Sequence, residues 1–126
     1  MNPHASRCQR YSEEIRFLAN LPSPSRWESA RLAELRVNLA ISQRWASDFA
    51  RRADICARVA RAIIDSTLSR TLPALPASEA LALRAHAAQI ESREEFGTHP
   101  YAPVISLRSF RLAAQGAVRR ATVSTL

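Results

Sequence analysis

The sequence has no lysine, only two glycines and only two cysteines among its 126 residues. Tight turns between strands depend on glycine, so this scarcity argues against a β-rich fold. Gly97 and Gly116 also stand too far apart to build a P-loop or a GxGxxG nucleotide-binding motif. Cys8 and Cys56 form neither a CxxC pair nor a disulfide framework, which favours a reducing, cytoplasmic location.

The spacings that catalysis and metal binding need are also missing. The chain contains no HExxH, and His4 with Cys8 offers only two metal ligands. His86 is typical of a packing or surface histidine, and Glu94 and Glu95 point to different faces of a helix. We therefore predict a non-enzymatic protein with no cofactor, no metal and no small-molecule substrate.

Long apolar runs are absent as well. Residues 1–17 contain no such run, which predicts that there is no signal peptide. No stretch approaches the roughly 20 apolar residues of a membrane-spanning helix. The length suits a single domain covering residues 1–126, whose ends at 1–5 and 122–126 we expect to be frayed.

What the sequence does have is alanine and helical periodicity. Hydrophobic residues make up 47% of the chain, and alanine supplies 23 of them. Because alanine favours helices and lets them approach closely, we predict an all-α fold of thin, close-packed helices.

The strongest helix signal covers residues 26–71. Ser25 and Glu28 have the spacing of a capping box, and no proline or glycine follows until Pro73. The pattern predicts one central helix of about 70 Å at 1.5 Å per residue. The alternative is two helices that are broken near Ser42 or near residues 47–48.

Three shorter helices are predicted to pack on this central helix. They cover residues 6–20, 78–96 and 106–121, with Ser6 and Ser78 as N-caps and Gly97 ending the second of them. We expect residues 98–105 to form an extended loop, since Pro100 and Pro103 interrupt a helix.

The central helix carries a broad apolar arc, which includes Trp45 and Phe49 and predicts that both are largely buried. Short helices from the same chain cover only part of such an arc, so we predict that a second copy completes the bundle as a homodimer. Five alanines at alternating spacings of four and three form the predicted dimer seam: Ala46, Ala50, Ala53, Ala57 and Ala60.

The 18 arginines and 11 acidic residues give a net charge of +7, which predicts an acidic partner. Two arginine sets are candidate partner-binding residues. One is a stripe on the central helix: Arg44, Arg51 and Arg58. The other lies in residues 104–126, which carry +4 and no acid: Arg108, Arg111, Arg119 and Arg120, with Phe110 as a ring to stack or anchor.

The stripe has a competing interpretation as a solvated, salt-bridged face, because Asp48 and Asp54 stand one turn from Arg52 and Arg58. The C-terminal arginines also have a competing interpretation, in which they complement a helix dipole or are neutralised by the acidic residues 91–95. The absence of local acids nevertheless predicts that the C-terminal set contributes more to binding.

These features together favour a small dimeric binding protein that docks on nucleic acid, a nucleoprotein complex or an acidic protein surface, as an accessory or inhibitory factor. One alternative is a sequence-specific DNA-binding regulator, although the short turn of a helix-turn-helix is not evident. Another is a secretion or assembly chaperone that holds a partner helix, and a more distant one is a basic helix on a membrane surface.

Overall fold

The computed structural model describes residues 2–124, and every regular element among them is helical. The α-helices, in chain order, are α1 (Pro3–Ala19), α2 (Arg26–Thr71), α3 (Ala77–Ser92), α4 (Glu94–Thr98) and α5 (Ala102–Ser124). A 3₁₀ turn, Leu72–Ala74, follows α2. The all-α prediction with one long central helix is confirmed.

The long helix α2 begins and ends where the sequence predicts. The Ser25 backbone N–H donates to Glu28 Oε1 at 2.8 Å, and the Glu28 N–H donates to Ser25 Oγ at 3.1 Å. This reciprocal capping box satisfies two backbone donors at the helix start. Neither Ser42 nor residues 47–48 interrupt the helix, so the two-helix alternative is wrong.

Helix α1 begins three residues earlier than predicted. Asn2 is its N-cap, because the Asn2 side-chain oxygen accepts from the backbone N–H of His4 at 3.0 Å and of Ala5 at 3.4 Å. Pro3 fits the first helical turn because its missing N–H would find no partner there. Residues 3–5 are therefore helical, and α1 extends into the segment 1–5 that we expect to be frayed.

The C-terminal helices differ from the prediction in three places. The helix predicted to reach residue 96 stops at Ser92, because Arg93 is extended, and α4 follows with Gly97 inside it. Helix α3 begins at Ala77, after Pro76. Helix α5 begins at Ala102 rather than 106 and continues through residues 122–124, which we expected to fray. Residues 125–126 of that expected frayed end lie outside the described residues.

The chain divides into two compact units, Met1–Arg51 and Arg52–Leu126. In the first, α1 is tied to α2 by polar contacts. The Asn2 Nδ2 donates to the Ala46 carbonyl oxygen at 2.9 Å, and Arg31 Nε lies 3.1 Å from Glu14 Oε1. Leu18 and Leu35 are its buried leucines.

Trp45 is about half exposed, at 49%, so the prediction that it is largely buried is wrong. Phe49 is half-buried. Both rings lie against His4, with ring centroids 5.7 and 5.9 Å from the imidazole. At 100° per residue, Trp45 lies about 80° round α2 from the buried Leu35, so it stands at the edge of the buried face rather than at its centre.

The second unit has a larger continuous core built from α2, α3, α4 and α5. Its largest members are Ile64, Ile90, Phe96 and Phe110, none of which is more than 1% exposed. Two alanines of the predicted dimer seam, Ala57 and Ala60, belong to this core.

The alanine seam is thus used largely inside one chain. Ala53, Ala57 and Ala60 are buried in a single copy, Ala46 is partly buried and Ala50 is exposed. Small side chains let the helices of the second unit pack closely, so Ala53, Ala57 and Ala60 offer no surface to a second copy. This corrects the role that the sequence predicted for them.

Candidate anion-binding groove

A groove in the second unit separates the end of α2 from the middle of α5 and has a volume of about 510 Å³. We call it the arginine groove. Its lining residues are Thr67, Arg70, Thr71, Arg111, Ala114, Gln115, Val118 and Arg119.

Helix geometry explains how these side chains reach one place. Thr67, Arg70 and Thr71 have i, i+3, i+4 spacing on the last turns of α2, so they share one face. Arg111, Gln115 and Val118 have i, i+4, i+7 spacing on α5 and share another. Ala114 is buried and forms part of the apolar floor.

The groove is rich in hydrogen-bond donors and in positive charge. Arg70, Arg111 and Arg119 each carry a guanidinium, and Thr67 and Thr71 add hydroxyls. None of the described lining residues is acidic. Planar guanidinium groups match carboxylate and phosphate oxygens, so the arrangement suits an anionic group.

The Arg70 side chain is also held by a hydrogen bond to its own helix. Its Nε donates to the Ser66 carbonyl oxygen at 3.4 Å, within the last turns of α2. The carbonyl groups at a helix C-terminus favour a cation there, which holds the arginine at the edge of the groove. Sequence reasoning did not single out Arg70. The available signal was the arginine between two threonines on one face, just before the proline that ends the helix.

Only part of the predicted C-terminal arginine set lines the groove. Arg111 and Arg119 do so, and Arg108 is exposed on α5 outside the lining. Arg120 instead forms a two-point ion pair with Glu79 of α3, with Nε at 2.8 Å from Oε1 and one terminal nitrogen at 3.0 Å from Oε2. The prediction that no acid competes for this set is therefore wrong for Arg120.

The ion pair affects both of its members. Hydrogen bonding from Arg120 lowers the pKa of the Glu79 carboxyl below its usual range, and the same bond raises the pKa of Arg120. Local charge counting missed the pair because its members are 41 positions apart in sequence.

Phe110 does not face solvent. It is completely buried, and its ring stacks on His86 with centroids 6.3 Å apart and planes inclined by 12°. The predicted role as a stacking or anchoring ring for a partner does not fit this position. His86 is half-buried and packs against this ring, which is one of the two predicted alternatives, a packing or a surface histidine.

The stripe on α2 is largely paired. Arg58 Nε lies 3.1 Å from Asp54 Oδ2, which is the predicted i,i+4 pair. Asp48 pairs with Arg51 at 3.2 Å rather than with the predicted Arg52. Arg44 is exposed. None of the three stripe arginines lines the arginine groove.

Within residues 2–124, no three His, Cys, Asp or Glu side chains are grouped so as to hold a metal ion. Over the same residues, none of the helices has the length and apolar character needed to cross a membrane. Comparison of the chain with family models, curated proteins and solved structures finds no match.

Proposed function

We propose that this chain is a non-enzymatic binding protein that docks on an acidic macromolecule through the arginine groove. The observation that carries the proposal is the convergence of Arg70, Arg111 and Arg119 on one groove whose described lining contains no carboxylate. Like charges gathered in one place repel each other, and an anionic group from a partner relieves that repulsion.

Several arginines outside the groove are already paired with carboxylates. Arg51, Arg58 and Arg120 each have a carboxylate of the same chain within 3.2 Å. A partner would have to displace these carboxylates, whereas no carboxylate of the described lining competes at the groove. An exposed charge pair contributes only about 0.2–1 kcal/mol, so binding depends on several groove arginines together.

A matched pair of triple variants tests the proposal. One changes Arg70, Arg111 and Arg119 to alanine, and the control changes Arg44, Arg51 and Arg58 to alanine, so both remove the same charge. The probes are polyglutamate and duplex DNA, titrated at several salt concentrations with circular dichroism as the folding check. We expect the groove variant to lose more affinity, and wild-type binding to weaken as salt rises.

Two results would count against the function. Equal losses in the two triple variants would mean that net charge, rather than the groove, determines binding. No binding of wild-type protein to either polyanion at low salt would remove the acidic-partner proposal altogether.

Homodimerisation remains a second proposal, on a surface other than the alanine seam. Val37, Ile41 and Trp45 have i, i+4, i+8 spacing in the first unit, and they are 60%, 43% and 49% exposed. We expect sedimentation to report a dimer that Ile41→Glu dissociates and Phe17→Glu does not. A folded monomer at micromolar concentration would contradict it.

A further inference from the structure

The solvent side of α5 alternates apolar and basic residues. At 100° per residue, Ile105, Arg108, Leu112, Arg119 and Val123 share one side of the helix. We call this side the α5 outer face. All five are exposed, with Ile105 at 69% and Leu112 at 63%. The opposite side of α5 is buried in the core through Phe110, Ala114 and Ala117.

The outer face and the arginine groove adjoin on the same helix. Arg119 belongs to both, and Arg111 and Val118 lie between Leu112 and the groove floor. α5 contains no acidic residue along its whole length, and Glu79 of α3 is paired with Arg120. A ligand along α5 therefore meets aliphatic side chains and positive charge together.

This mixture discriminates between classes of acidic partner. Nucleic-acid interfaces are highly polar, and single strands stack their bases on aromatic rings. Phe110 is the one aromatic residue of α5, and it is buried. Exposed isoleucine, leucine and valine gain little from a phosphate backbone, but they bury apolar area against the aliphatic side chains of a protein helix.

A second copy of the chain is a poor occupant for the same surface. An isologous contact would set the arginines of one outer face against those of the other, with no acid on either α5 to neutralise them. Like charges placed opposite each other cost free energy, which favours a partner of different composition.

We infer that the α5 outer face binds an amphipathic, acidic helix of another protein. Its aliphatic stripe packs on Ile105, Leu112 and Val123, and one of its flanking carboxylates enters the arginine groove. This inference rests on the function proposed above, since it names the chemical class of the acidic partner.

The test compares three probes at one salt concentration. The first is a synthetic helix with a leucine stripe flanked by glutamates. The second has the same composition in scrambled order, so that it keeps its charge but loses its stripe. The third is duplex DNA. Leu112→Gln probes the apolar contact, and Leu81→Gln, which changes a leucine on α3 that is 70% exposed, is its matched control.

We expect the amphipathic helix to bind about tenfold more tightly than the scrambled peptide, and Leu112→Gln to weaken it by about tenfold, because one leucine loses its apolar contact. Leu81→Gln should leave the affinity unchanged. Circular dichroism of both variants should match the wild-type protein, since glutamine is a good helix former.

The contrary outcomes separate this inference from the function beneath it. Three outcomes would overturn the inference that the partner is an amphipathic helix: equal binding of the two peptides, tighter binding of DNA, or an unaffected Leu112→Gln variant. The triple variant of the groove arginines would still test whether the partner is acidic. A dimer in sedimentation that Leu112→Gln dissociates would assign the face to a second copy and overturn the inference. If no probe binds, both proposals fail.

Discussion

The two units of this chain bury apolar residues to different degrees. The first, Met1–Arg51, places Leu18 and Leu35 inside but leaves Phe17 and Trp27 about 70% exposed. The second, Arg52–Leu126, buries both of its phenylalanines completely or nearly so. Burial of large apolar side chains is the main source of folding free energy, so the second unit has the stronger apolar core.

The two units also hold some of their arginines in different surroundings. In the first unit Arg31 contacts two carboxylates, with Glu14 at 3.1 Å and Glu34 at 3.5 Å, and both contacts raise the pKa of Arg31. In the second unit three arginines converge on a groove with no acid among its described lining residues. The unit with the stronger core is therefore also the one that carries the arginine groove, and a binding surface benefits from a rigid support.

The variant expected to change stability most, and so to test this comparison best, truncates a core side chain. We expect Phe110→Ala to lower the free energy of unfolding by about 3–5 kcal/mol, because the ring is fully buried and leaves a cavity. Phe17→Ala in the first unit should change it by less than about 0.5 kcal/mol, since Phe17 is 68% exposed. Urea denaturation measures both, and similar values for the two variants would remove the contrast in core strength.

A smaller effect is expected at the start of α1. Asn2 caps this helix and also donates to the Ala46 carbonyl, so Asn2→Ala removes both contacts. We expect a loss of about 1 kcal/mol, typical of a lost N-cap, and it should appear as faster amide hydrogen exchange in α1. Gln9→Ala, an exposed change on the same helix, is the control. Unchanged exchange in Asn2→Ala would mean that the cap does not hold α1 in place.

The sequence was most informative where local signals decide the structure. The capping box at Ser25 and the absence of proline and glycine set both ends of α2 correctly. The sequence predicts a loop at Pro103, but α5 starts at Ala102, because the first turn of a helix accepts proline. The break at Arg93 has no glycine or proline to announce it. It allows Phe96 to enter the core under the Arg61 guanidinium, 5.3 Å from the ring centroid.

The candidate site was predictable only in part, for a related reason. Helical spacing and local charge pointed to Arg111 and Arg119, both of which line the groove. The sequence did not indicate Arg70, because Arg70 comes close to Arg111 and Arg119 only when α2 packs on α5. The pairing of Arg120 with Glu79 was missed for the same reason, since a charge count within a short window cannot include a carboxylate on another helix.

The smallest expected effect concerns the ion pair between Arg120 and Glu79, and tests whether Arg120 differs from the groove arginines of α5. The hydrogen bonds from Arg120 favour the ionised form of Glu79 and so lower the pKa of its carboxyl. A carboxyl whose pKa is lower in the folded chain stabilises the fold above its unfolded pKa, and this contribution is lost as the pH falls through the folded pKa. We expect Arg120→Gln to return the pKa of Glu79 towards its ordinary value in a carboxyl carbon NMR titration. Arg119→Gln, one position away and on the groove, should leave it unchanged. An equal response to both variants would mean that Glu79 senses the general positive field of α5, and the distinction between a paired Arg120 and the groove arginines would fail.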